Sequence, residues 1–311
     1  MKPELPSNLP DDPAALEHRI AKRERAVEHL KPDAHARIVW ADPENKKRTP
    51  HSVVYLHGFT ASQGEGHPVH LDFARRYGCN LYLSRLTGHG IADPDAFTGI
   101  KRRDFLDSAA EAFAIGRVLG NGVIVMGTST GASLALYLAS EFGEDQLTGL
   151  ILYSPLVEFY GIKSWLLANR WTRAMLKRVL GESYMVKIDI DDPDQRRIWY
   201  DRYRLEGVLA LGSLIEKTMT ETTFERVTVP AFVGYYYKNW RHQDRTVSVR
   251  SVKKMFKRLG AERPQKQLAN FPDAGSHIIC SSLLSNSVKK VENQTYRFSE
   301  NVLGLNSLYQ R

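Results

Sequence analysis

Gly127-Thr128-Ser129-Thr130-Gly131 is the segment with the clearest chemical meaning. It follows an apolar run, Val123 to Met126, and precedes a stretch opening Ala132-Ser133-Leu134. A serine on a sharp turn between a strand and a helix can attack a carbonyl, because the turn lifts its hydroxyl out of the sheet. The strained turn requires positions without side chains two residues to either side, and both are glycine. The helix N-terminus that follows favours a developing anion. The chemistry implied is nucleophilic acyl transfer by Ser129. A simple glycine-bounded turn is the plainer alternative.

A second segment, His57-Gly58-Phe59-Thr60, follows the apolar run Ser52 to Leu56. In acyl-transfer enzymes of this layout, one N–H from the loop after this strand and one from the residue after the nucleophile hold the oxyanion. Here those amides belong to Phe59 and Thr130, each worth a few kcal/mol, about 3, of transition-state stabilisation. His57 itself reads as structural. His67, His70 and Asp72 have a spacing that matches no zinc signature, so no metal is expected. There is no P-loop and no G-x-G-x-x-G after a strand, so no cofactor is expected either. A serine nucleophile also disfavours dehalogenation, which needs an attacking carboxylate.

With these residues in place, the chain resembles the α/β-hydrolase family, and more closely its monoglyceride lipase and carboxylesterase branch. The resemblance rests on HGF at 57–59, Thr87-Gly88-His89-Gly90, GTSTG at 127–131 and an insertion after the sixth strand, and it spans about residues 50–310. It implies a Ser–acid–His triad in that chain order. After Ser129 lie two histidines, His242 and His277. His277 falls just after the last expected strand, where the family's general base lies; His242 reads as a loop residue. The acid implied is Asp244, in Asp244-Arg245-Thr246-Val247, although the linker 237–243 before it is longer and more basic than the family pattern. Glu158 is the alternative acid, and Asp273 suits a local turn role. The activity implied is cleavage of a small-molecule carboxylic ester through an acyl-enzyme. A thioesterase or peptidase would use the same triad, and a non-catalytic binding protein could retain it.

These residues must be positioned by a particular set of elements. Short, largely apolar runs at 36–40, 52–56, 80–83, 123–126, 150–153, 231–236 and 267–271 alternate with helical stretches. The helices are expected at 14–30, 70–77, 101–119, 129–142, 206–219, 247–259 and 294–303. That rhythm predicts an α/β fold: a doubly wound, mostly parallel sheet with helices on both faces. It breaks at residues 156–204, which predict a helical cap or lid. Its Trp165, Leu166, Leu167, Trp171 and Leu176 would either line an acyl pocket or pack the lid onto the core. The expected organisation is an N-terminal extension over 1–50, a core over 51–155 and 205–311, and the cap at 156–204.

Composition bounds the partners. The 311 residues carry a net charge of +8, with 42% hydrophobic and 25% charged residues, which is ordinary for a globular chain. Residues 238–270 hold ten Lys/Arg against two acids, a local excess equal to the whole +8. Lys253, Lys254, Lys257 and Arg258 form its helical face, and no aromatic but Phe256 interleaves them, so a base-stacking surface is not suggested and no nucleic acid is expected. Weak contact with anionic surfaces is the expectation for this patch. No apolar run is long enough to span a membrane. Two cysteines, and a polar N-terminal segment without an apolar core, lead to the expectation of a cytoplasmic setting.

Overall fold

A computed structural model describes residues 2–143, 145–169, 171, 175, 178 and 184–309. The first half runs α1 (Pro13–Arg25), β1 (Arg37–Val39), β2 (Thr49–Leu56), α2 (Val69–Tyr77), β3 (Asn80–Leu83), α3 (Arg102–Leu119), β4 (Gly120–Thr128), α4 (Thr130–Phe142) and β5 (Leu147–Tyr153). An insertion follows, with α5 (Ser164–Ala168), β6 (Met185–Lys187), α6 (Pro193–Ile198) and β7 (Arg202–Arg204). The chain closes with α7 (Leu205–Thr218), α8 (Glu221–Glu225), β8 (Ala231–Tyr235), α9 (Val249–Arg258), β9 (Lys266–Asn270) and α10 (Val288–Asn301).

Among the described residues, seven strands form one sheet in the order β1-β3-β2-β4-β5-β8-β9. Only the β1–β3 pair is antiparallel, so the expected mostly parallel sheet is observed. Successive strand residues point to opposite faces. Val54, Leu56, Val125 and Leu152 therefore pack with α3, α4 and α9. Their neighbours Val53, Tyr55, Met126 and Tyr153 pack with α2 and α10. Each such burial is worth roughly 1.5–3 kcal/mol, which is why a strand apolar throughout needs cover on both sides.

Three departures from the sequence expectation have physical causes. α1 stops at Arg25 rather than near Leu30, because Leu30 pairs with Ile91 and the Lys31 amide donates to Gly90 O at 2.8 Å. α10 starts at Val288 rather than Gln294, since its buried face (Val291, Thr295, Phe298) extends N-terminally. The insertion follows the fifth strand rather than a sixth, and it is not wholly helical. β6 and β7 form an antiparallel ribbon there. Most of the second half of the amphipathic stretch, with Leu176 and Leu180, lies outside the described residues.

Candidate active site

Ser129 joins β4 to α4 with φ 54° and ψ −115°, a left-handed region that non-glycine residues rarely adopt. Its glycine neighbours are a steric necessity. A Cβ on Gly131 would lie 1.9 Å from the Leu56 carbonyl oxygen, and one on Gly127 would lie 2.6 Å from the Gly131 backbone. The turn is pinned from outside: the Ser129 amide donates to Tyr153 O (2.9 Å), and its carbonyl accepts from the Leu156 amide (3.2 Å). The end of β5 and the segment after it therefore hold one strained residue, as an over-determined site requires.

His277 lies on the segment after β9. Ser154 Oγ donates to its backbone carbonyl at 2.6 Å. Its Nδ1 lies 2.6 Å from Asp244 Oδ2. A carboxylate only accepts, so the proton sits on Nδ1 and leaves Nε2 with a lone pair. Nε2 is buried and has no hydrogen-bond partner among the described residues. Asp244 is 1% exposed, and its Oδ1 accepts from the amides of Thr246 (2.8 Å) and Val247 (3.0 Å). Burial works against both charges, but mutual attraction outweighs it. The His277 pKa is held above its ordinary value by the Asp244 charge and hydrogen bond, and by Glu65. The Asp244 pKa lies below the usual range through His277 and the two amides.

The long linker before Asp244 does not disturb its register. Residues 237–243 close on themselves: Tyr237 pairs with Gln243, and the Lys238 and Asn239 amides both donate to His242 O. The excess length is thus an excursion, and the Asp244 amide returns to Tyr236 O (3.3 Å). His242 is exposed and reaches Asn239, away from Ser129. Glu158 accepts from Ser164 N and Ser164 Oγ, both at 2.7 Å, at the start of α5. Asp273 is exposed and pairs with Lys290.

Phe59 and Thr130 line the same cavity as Ser129 and His277, a space of about 450 Å³. Thr130 is the first residue of α4, where amides have no acceptor inside the helix. The Phe59 ring is stacked on Phe97 (5.1 Å) and meets Tyr203 edge-on, which fixes the loop that carries its amide. His57 is fully buried. Its Nδ1–H donates to Gly58 O and its Nε2 accepts from the Leu86 amide, and burial lowers its pKa to about 4, so it is neutral and structural. His70 is likewise buried against Gln63 O, while His67 is exposed and Asp72 pairs with Arg75. Among the described residues no group of three or more His, Cys, Asp or Glu could hold a metal ion. No helix among them is long and apolar enough to cross a membrane.

The rest of the cavity wall was not foreseen. Phe159, Ile188, Ile190, Trp199, Tyr200, Tyr203, Val208 and Leu211 supply its apolar surface. Trp165, Leu166 and Trp171, expected as possible acyl-pocket residues, are instead 55%, 39% and 71% exposed. Leu167 packs on α7, against Gly212. Glu65 is a further residue that no motif signalled. It is 1% exposed, lines the cavity and accepts from the Gly58 amide at 2.6 Å. Burial pushes its pKa up to about 7 against the bonds that favour its charged form.

Comparison with known proteins agrees with this architecture. No curated protein matches the chain. Among solved structures, one of the metagenome-derived lipolytic enzymes LipS and LipT is similar at a TM-score of 0.67 and 19% identity, covering 86% of this chain and 98% of its own. The monoacylglycerol lipase of Paleococcus ferrophilus has a TM-score of 0.59 and 17% identity, covering 84% and 97%. Est1E from Butyrivibrio proteoclasticus, with ferulic acid bound, has a TM-score of 0.55 and 16% identity, covering 87% and 95%. At these identities the likeness is one of fold. A model of the Alpha/beta hydrolase family matches residues 53–289, well over half of the sequence, and the chain belongs to that family.

Proposed function

We propose that the protein is a serine hydrolase of carboxylic esters. Ser129 attacks the ester carbonyl while His277 Nε2 takes its proton. The Phe59 and Thr130 amides hold the oxyanion. The imidazolium then returns the proton to the departing alcohol, leaving an acyl-enzyme. Water activated by the same imidazole attacks the acyl group and releases the acid. Asp244 keeps the His277 proton on Nδ1 and stabilises the imidazolium.

The observation that carries this reading is a strained Ser129 in one cavity with a His277 whose second nitrogen is held by Asp244 at 2.6 Å. That the similar structures include lipolytic enzymes and a monoacylglycerol lipase supports an ester as the substrate class. The apolar, aromatic wall fits an apolar acyl or alkyl group better than a charged one. Residues 156–204 would act as the cap over this cavity. Purified protein should cleave short-chain p-nitrophenyl esters and take up a fluorophosphonate label. Ser129→Ala should abolish both, and a labelled Ser129→Ala protein would sink the reading.

A further inference from the structure

Glu65 is a buried ionisable side chain of the cavity that the steps above do not use. It sits in a short 3-10 turn, Gln63–Gly66, after the oxyanion loop. Its two carboxyl oxygens face donors from different parts of the chain. Oε2 accepts from the Gly58 amide (2.6 Å), with the Tyr55 hydroxyl at 3.5 Å, and Oε1 accepts from the Trp199 indole N–H (3.2 Å). Trp199 belongs to the insertion, and the next residue makes a parallel tie, Tyr200 N to Thr60 O at 2.9 Å. One glycine separates this carboxyl from the nucleophile. A Cβ on Gly58 would stand 2.8 Å from Glu65 Oε1 and 3.3 Å from Ser129 Cβ.

We infer that Glu65 is a positioning residue for the ester hydrolysis: its carboxylate clamps the oxyanion loop to the insertion and holds the Phe59 amide in register, and its charge acts on the His277 imidazole. This rests on the serine-hydrolase reading. The geometry asks for a carboxylate specifically. Glutamine offers one acceptor oxygen and one NH₂, so in either orientation it would set a donor against the Gly58 amide or the Trp199 indole. The oxyanion donor, the Phe59 amide, is one peptide on from the clamped amide. A misplacement of about 1 Å there can cost on the order of 100-fold in rate.

The charge matters as well as the bonds. The titratable groups facing Glu65 are Tyr55 on β2 and His277 and Cys280 on the segment after β9. Burial pushes Tyr55 and Cys280 far up, Cys280 to about 12, so His277 is the neighbour that titrates with Glu65. The Glu65 carboxylate raises the His277 pKa, as Asp244 does from the other side. The two groups therefore titrate as a coupled pair.

The test is the acid limb of kcat/KM for a short-chain p-nitrophenyl ester, in wild type, Glu65→Gln and Trp199→Phe. Wild type should lose activity as the pH falls, through protonation of both groups, with a limb steeper than one proton. Glu65→Gln should lower kcat about tenfold or more, with KM within a few-fold. Its limb should shift to lower pH and flatten to one proton, because His277 loses a neighbouring negative charge. Trp199→Phe removes a donor that favours the carboxylate, so its limb should move the opposite way, to higher pH. Should Glu65→Gln not fold, the upward shift in Trp199→Phe decides alone. Variants that trace the wild-type limb with kcat within twofold overturn the inference and leave the hydrolase reading standing. A wild-type protein with neither turnover nor fluorophosphonate labelling overturns that reading, and this inference with it.

Discussion

Asp244 and Ser129 show how much a single residue depends on its frame. Asp244→Asn would keep an oxygen for the Thr246 and Val247 amides and turn its NH₂ toward His277. The imidazole would then present Nδ1 as acceptor and carry its proton on Nε2, the nitrogen that must receive the serine proton. A loss of about 10³–10⁴ in kcat is expected, at nearly unchanged KM. The pH dependence has a definite sign. In the proposed mechanism the base is active when neutral, so wild-type kcat/KM should rise with pH through a His277 pKa held above its ordinary 6.5. In Asp244→Asn the attraction that raises it is gone, and the limb moves to lower pH. A pH–rate profile of both proteins checks this; coincident limbs would remove Asp244 from its role. Ser129 was legible in the sequence because its strain has a local signature, two glycines at fixed offsets. His277 and Asp244 were reached through the family resemblance that signature supports, which implies an acid and a histidine downstream. Glu65 was not legible. Its burial and its donors are set by Gly58 and Trp199, and the latter lies 134 residues away.

At the scale of elements, legibility followed burial. The stretches 53–56 of β2, 123–126 of β4 and 150–153 of β5 are covered on both faces, so they are apolar without interruption and could be read directly. β6 and β7 are three residues each and only partly buried, too short to show a period. The basic run 238–270 was visible as composition, but its neighbours were not. On α9, Lys254 pairs with Glu221 (2.9 Å), and Arg258 reaches Glu221 and Glu225 (both 3.4 Å), all from α8. Lys253 lies over the rings of Tyr235 and Tyr237. The patch is therefore partly neutralised by a helix outside the run, and only helix packing reveals it. Exposed pairs of this kind contribute little to stability, so they can be removed without unfolding the protein. The double variant Glu221→Gln/Glu225→Gln should elute from heparin at higher salt than wild type, with a steeper salt dependence. Equal elution would show that α9 is not the surface that meets polyanions.

For the whole molecule, Glu65 and the buried histidines pull stability in opposite directions as pH changes. His57, His70 and His89 are buried and neutral; burial lowers His57 to about 4, His70 to about 3 and His89 well below its usual value. Unfolding returns each to about 6.5, so each takes up a proton between its folded and unfolded pKa. Their contribution is intact above about 6.5 and is lost as the pH falls. Glu65 has the reverse sign. Its folded pKa of about 7 lies above the unfolded 4.5, so it gives up a proton on unfolding, and its contribution is lost as the pH rises through about 7. Near pH 5.5 both windows overlap: the buried histidines, with His35 and His51 adding to the same side, take up protons on unfolding while Glu65 releases about one. Stability should then rise with pH there, less steeply than the histidines alone would give. In Glu65→Gln the opposing release is absent, and the slope should steepen by about 1.4 kcal/mol per pH unit, the equivalent of one proton. Urea unfolding at several pH values between 5 and 6 measures both slopes. A variant slope equal to or shallower than the wild-type one would mean that Glu65 is already ionised in the folded protein throughout this range. The steeper slope would show instead that the site keeps a carboxyl protonated at pH 5.5 and must ionise it, at a cost to the fold, to hold the oxyanion loop where hydrolysis needs it.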